Sequence, residues 1–137
     1  MSKMGCLGLE RNGRYKKEHK MIKDTKGKLR LNLVPNCGLE AVARVREFGN
    51  KKYPGNPDSY VTEVSVDDLV EAARRHLLKY RKGELLDEES SEMHLAHGAT
   101  SLMMAIEILY RNMEVHNLSL RETQRIVKKE YKDSRRN

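Results

Sequence analysis

The chain has no tryptophan, one phenylalanine, two cysteines and three prolines in 137 residues. Without large aromatic side chains, its core must be assembled from Leu, Val, Ile, Met and Ala. So slender a core gains from association, and a homodimer or homotetramer is expected. Cys6 and Cys37 form no CxxC pair, which denies a zinc finger its ligands. They read as two reduced thiols in a cytoplasmic protein. No apolar run reaches the roughly 20 residues of a membrane span, and none of signal-peptide length opens the chain. Neither a GxxxxGK[ST] loop nor a GxGxxG turn is present, so a P-loop and a dinucleotide fold are not indicated. A His-Asp dipeptide is missing, against the metal phosphohydrolases built around one. Neither cysteine has a histidine close in sequence, leaving covalent thiol catalysis without support.

What the chain does have is charge, unevenly placed. Residues 1–30 carry ten Lys/Arg against three Asp/Glu, and residues 120–137 carry seven against three. The stretch between them is acidic, with ten basic residues against fourteen acidic ones. An acidic body with basic ends suits a cation site bordered by phosphate-binding groups better than a uniform DNA-binding face.

Periodicity gives four helical segments and no β pattern, within a single domain over 28–137. Residues 1–27 are polar, Gly- and Lys-rich and aperiodic, and read as a flexible basic arm. Leu31, Leu33 and Val34-Pro35 suggest a short extended lead-in. The first helix runs from about Asn36 to Lys52, burying Leu39, Val42, Val45 and Phe48, and ends before Pro54, Gly55 and Pro57. Ser65 caps the second, with Asp68 three residues on in a capping-box-like position. Val66, Leu69, Val70, Ala73, His76, Leu77 and Tyr80 share one face of that helix, and Gly83 stops it. The third helix starts near Ser90 or Ser91 and reaches Met113. It is apolar nearly all round and therefore central. Ser119-Leu120-Arg121-Glu122 forms a capping box for a basic fourth helix through Ile126, Val127 and Tyr131.

The chemistry concentrates in 71–97. His76 lies on one helix, His94 and His97 lie three apart on the next, and Glu84, Asp87, Glu88 and Glu89 fill the connector. Imidazoles and carboxylates meeting between facing helices are a means by which bundles hold divalent ions. The bland alternative assigns the histidines to core packing and the carboxylates to helix dipoles and solubility. Lys51, Lys52, Tyr53 and Asn56 fall at the end of the first helix, where they could grip phosphates or simply offset its dipole.

Ordered blocks then carry a resemblance: Lys28-Leu29-Arg30-Leu31-Asn32-Leu33-Val34-Pro35, Glu47-Phe48-Gly49-Asn50-Lys51-Lys52-Tyr53 with Asn56, Glu71-Ala72-Ala73-Arg74-Arg75-His76-Leu77-Leu78, Gly83-Glu84, Asp87-Glu88-Glu89-Ser90 and His94-Leu95-Ala96-His97. From Lys28 to about Glu107 the chain resembles the phage-type dATP/dGTP diphosphohydrolases, which are MazG-like. The resemblance implies an all-α, four-helix bundle enzyme of the all-α nucleoside triphosphate pyrophosphohydrolase kind. Such an enzyme depends on Mg2+ or Mn2+ and converts a purine deoxynucleoside triphosphate to the monophosphate and pyrophosphate, in host cytoplasm if phage-encoded. By position it implicates Glu47, Glu71, His76, Asp87, Glu89, His94 and His97 as the polar motif residues. Lys28, Arg30, Lys51, Lys52, Tyr53, Asn56 and Arg75 match the basic and polar positions expected at substrate.

On physical grounds Glu47, Glu71, Asp87, Glu89, His94 and His97 are assigned to the metal, and Glu47, His76 and Asp87 to catalysis. The chain departs from the pattern in places. His94-Leu95-Ala96-His97 stands where the wider group has ExxD, Ser91 where the closer family tends to glycine, and Pro57 where an aromatic residue follows Asn56. Other readings are a small basic DNA-binding or regulatory protein, suggested by 117–124 and the basic tail, a different phosphate-ester hydrolase, and a purely structural helical protein. No room remains after residue 131 for a second recognition helix, so nucleic acid is a disfavoured partner and no membrane is expected.

Overall fold

The computed structural model describes residues 26–136, so most of the expected arm lies outside the described residues. A 3₁₀ turn at Leu31–Leu33 leads into α1 (Asn36–Lys52), followed by a one-turn α2 (Tyr60–Glu63), α3 (Val66–Arg81), α4 (His94–Val115) and α5 (Leu120–Ser134). The all-α expectation holds. The only β feature among the described residues is an isolated antiparallel bridge between Leu86 and Met93. No described helix is long and apolar enough to cross a membrane.

Local chemistry explains the ends. Ser65 Oγ accepts the Asp68 N–H at 3.0 Å and donates to its carboxylate at 2.8 Å. Gly83 ends α3 at a positive φ of 95°. There its N–H bonds to Tyr80 O and that of Glu84 reaches back to Lys79 O, the paired bonds of a Schellman cap. α4 ends the same way, with Asn117 at φ 52° and the Leu118 N–H on Met113 O at 2.8 Å. The capping box at Ser119 and Glu122 is complete.

Four details differ from the sequence reading. The lead-in is a 3₁₀ turn rather than extended, with only Val34, held by the following proline, in the β region. The single turn of α2 is too short for a periodic signal. α4 begins at His94 rather than at Ser90 or Ser91. Ser90 uses its hydroxyl on Asp87 and His97, and Ser91 has φ 60°, outside the right-handed helical region. Cys37, expected as a reduced thiol, is disulfide-bonded, and its partner lies outside the described residues.

α4 is the hub. α3 packs along it most extensively, α1 next and α2 at one place. Ala41, Val45 and Ala96 form one small core cluster, and Leu69, Ala105 and Ile108 form another. The core is as thin as the composition implies: of the apolar stripe read on α3, Leu69 and Ala73 are buried while Val70, Leu77 and Tyr80 are exposed. Leu39 is likewise exposed on α1. The expected fourth bundle helix, α5, is formed but contributes no buried residue.

Candidate metal centre and adjoining cavities

The α3–α4 connector is a tight hairpin rather than a loose acidic loop. The Asp87 N–H bonds to Glu92 O at 2.8 Å, Ser91 N–H to Asp87 O at 2.8 Å, and His94 N–H to Leu85 O at 3.0 Å. This folding carries Asp87 back over the start of α4, where it meets the histidines. His76 reaches the same point from α3, one helical turn after the buried Ala73.

Ligand atoms of His76, Asp87 and His94 lie within 4.8 Å of one another. The Nδ1 atoms of His76 and His94 are 2.9 Å apart. Two donors held about 2.1 Å from one ion at a right angle are separated by about 3 Å, so this spacing suits shared ligation. His97 stacks on His76, with ring centroids 4.5 Å apart and planes 13° from parallel. Its Nε2 is 2.6 Å from Ser90 Oγ and 3.8 Å from Asp87 Oδ2.

His94 supplies the strongest sign that the cluster is built for a cation. The residue is 1% exposed, and its Nε2 has no hydrogen-bond partner. Whichever ring nitrogen carries the proton, Nε2 stays buried and unpaired, which is costly. Glu84 Oε2 stands 3.6 Å from it, just beyond hydrogen-bond length. Were His94 to hold an ion through Nδ1, its Nε2–H would face that carboxylate, the arrangement by which metal-binding histidines are oriented. The donor set of two imidazoles and a carboxylate therefore fits a divalent metal.

Protonation states agree. Burial pushes the His76 imidazole below its ordinary range, and the neighbouring imidazoles push it further. Burial also lowers His97, against the opposing pull of Asp87. Both rings are thus neutral near pH 7, with lone pairs available. Burial alone would raise Asp87, but hydrogen bonds from the Ser90 N–H and hydroxyl, each 3.0 Å, and the nearby imidazoles bring it below the usual carboxylate range.

The other expected residues divide cleanly. Lys52 and Glu89 form an ion pair from α1 to the connector and line, with His76, Asp87 and His97, a cavity of about 260 Å3. Tyr53 borders this space and also a larger one of about 470 Å3, which Asn56 lines as well. The two cavities share Val45, Gly49, Tyr53 and His97. Glu47 is exposed and lines neither cavity, because it lies two residues, about 200° of helix, from Val45. Glu71 faces out and pairs with Arg74 at 3.6 Å. Lys28, Arg30, Lys51 and Arg75 are exposed and line neither cavity.

Ser90 and Glu84 were not singled out from sequence as site residues. Ser90 had a legible signal, since Asp-x-x-Ser lets one carboxylate accept both the N–H and the hydroxyl three residues on. Glu84 had none, because its place depends on how the cap at Gly83 turns the chain.

A family profile described as "dATP/dGTP diphosphohydrolase, N-terminal" matches residues 18–117. The matched span extends beyond the region of resemblance at both ends and stops before α5. A protein of Salmonella phage PMBT28 named "dATP/dGTP diphosphohydrolase" is 34% identical over 88 residues, covering 64% of this chain and 29% of the relative. The chain thus spans under a third of that relative's length. No solved structure matches. The matched span contains the whole histidine–carboxylate cluster, and on the strength of that match the chain belongs to the dATP/dGTP diphosphohydrolase N-terminal family.

Proposed function

We propose that the protein hydrolyses a purine deoxynucleoside triphosphate, dATP or dGTP, between its α and β phosphates, giving the monophosphate and pyrophosphate. The observation that carries this reading is the convergence of His76, Asp87 and His94, whose ligand atoms lie within 4.8 Å of one another, in a chain of this family. Those three residues would hold Mg2+ or Mn2+, and two nitrogen donors favour Mn2+. When bound, the ion supplies charge neutralisation of the triphosphate and makes water more acidic.

The chain's own groups do the rest. Ser90 Oγ accepts the Glu92 N–H at 3.2 Å and has one proton for two possible acceptors, Asp87 Oδ2 at 3.0 Å and His97 Nε2 at 2.6 Å. The charged carboxylate is the stronger acceptor. Assigned from this network, Ser90 donates to Asp87 and accepts His97 Nε2–H, which leaves the lone pair on His97 Nδ1. Neutral at pH 7, that nitrogen takes a proton from water as the water oxygen bonds to the α-phosphorus. The bond from that phosphorus to the bridging oxygen breaks, and pyrophosphate leaves. Lys52 at the cavity rim offsets the charge growing on it, exchanging Glu89 for phosphate.

The test is single substitution of Asp87→Ala and His97→Ala, with products followed by phosphorus NMR. Each variant should lose about 100-fold or more of turnover while keeping the helical circular dichroism of the parent. Pyrophosphate should be the released product. Release of triphosphate, or unaltered rates in both variants, would defeat the proposal.

A further inference from the structure

We infer that the larger cavity beside α4 receives the deoxynucleoside and that Glu63 selects guanine over adenine at its far end. The inference rests on the phosphates occupying the histidine end, as proposed above. Both cavities use Val45, Gly49, Tyr53 and His97 as walls, so the two spaces adjoin. Along α4 the larger cavity extends from His97 past Ser101 to Met104. That is seven residues, or about 10 Å of helix, the scale of one nucleoside.

The far end has the character of a base site. Tyr60, Val64 and Met104 line it and pack against the cluster of Leu69, Ala105 and Ile108, giving apolar surfaces for the faces of a ring. Arg46 holds this wall in place. Its guanidinium lies 5.0 Å from the Tyr60 ring centroid, donates to Pro57 O at 2.6 Å and contacts Met104 Sδ at 3.6 Å. The end is therefore formed in advance.

Glu63, the solvent-exposed last residue of α2, stands next to Val64 in the chain and is among the residues lining this cavity. Its carboxylate takes part in none of the hydrogen bonds or ion pairs among the described residues. A carboxylate placed near triphosphate would repel it; two turns away it is free to read a base. Ionised, it only accepts. Guanine presents two adjacent donors, N1–H and the N2 amine, which a carboxylate meets with both oxygens. Adenine presents one donor beside the N1 lone pair, so one carboxylate oxygen would face another acceptor. An amide, with one donor and one acceptor, matches adenine instead.

The experiment is calorimetric titration of dGMP and dAMP into the 137-residue protein and its Glu63→Gln variant, beside a pyrophosphate-release assay with dGTP and dATP. The parent should bind dGMP about tenfold more tightly than dAMP, as one bidentate contact discriminates. Glu63→Gln should erase or reverse that ratio while its circular dichroism is unchanged. Binding of neither monophosphate, equal binding of both to the parent, or a ratio untouched in the variant overturns the inference. The two proposals fail separately. A Glu63-dependent preference without pyrophosphate release leaves the nucleoside site standing and removes the hydrolase, whereas release with a ratio indifferent to Glu63 does the reverse.

Discussion

Ser91 sits at φ 60°, where its Cβ crowds the backbone, and the hairpin that carries Asp87 to the histidines depends on that turn. Ser91→Gly should relieve more backbone strain than it adds in unfolded-chain freedom, for a net gain of about 0.5–1 kcal/mol. A thermal melt should rise by about 2–5 °C, and a fall would show that the turn is not strained. A second prediction concerns the histidines. His76 and His97 are held below their ordinary range, so the unfolded chain binds more protons wherever pH lies between the lowered native values and the unfolded value. Stability of the metal-free protein should therefore be level above about pH 6.5 and decline as pH falls below it. His76→Gln with His97→Gln should flatten the decline, and an unchanged slope in that variant would place its origin elsewhere. Residue types pointed to His76, His94 and His97 beside a carboxylate-rich connector, and the resemblance added Asp87; the structure brings these four together. The resemblance also suggested Glu47 and Glu71, which stand two residues after the buried Val45 and Leu69 and so turn away from the site. Helical phase, measured from the buried residues, separates the two sets.

At the scale of the element, the legible ends are those where one residue type has one job. Ser65, Gly83 and Ser119 act where the sequence puts them, since a hydroxyl cap, a left-handed stop and a capping box each leave a local pattern. The start of α4 misled for the same reason. Ser90 and Ser91 look like caps, but the hydroxyl of Ser90 is taken by Asp87 and His97, and the long-range requirement prevails over the local one. The acidic connector was legible as charge and illegible as shape. Its hairpin arises from backbone bonds among Leu85, Asp87, Glu92 and His94, which any side chains might have accompanied. Both cavities depend on the angle at which α1 approaches α4, so no pattern in the letters announces them.

At the scale of the whole molecule, α4 poses the remaining question. Leu95, Leu102, Met103, Ile106 and Tyr110 are all exposed on it. With Ala99 they fall at i, i+4, i+7, i+8, i+11 and i+15, a single stripe opposite the face that packs on α1 and α3. A continuous apolar strip about 22 Å long is unusual on a monomer surface. Composition made the helix central by being apolar all round, yet α5 offers no buried residue to cover the free side. A second copy of α4, meeting the stripe with the same stripe, is the economical cover, and a two-fold pairing of this kind is self-complementary. The protein should accordingly run as a dimer or larger by light scattering at micromolar concentration. Ile106→Glu places one charge in the middle of the stripe and two near the axis of the pair, so it should shift the population toward monomer by well over tenfold. The histidine cluster lies on another face, and metal binding by the monomeric variant should survive. A parent that scatters as a monomer, or a variant that remains as associated as the parent, would show that the stripe is covered by something other than itself.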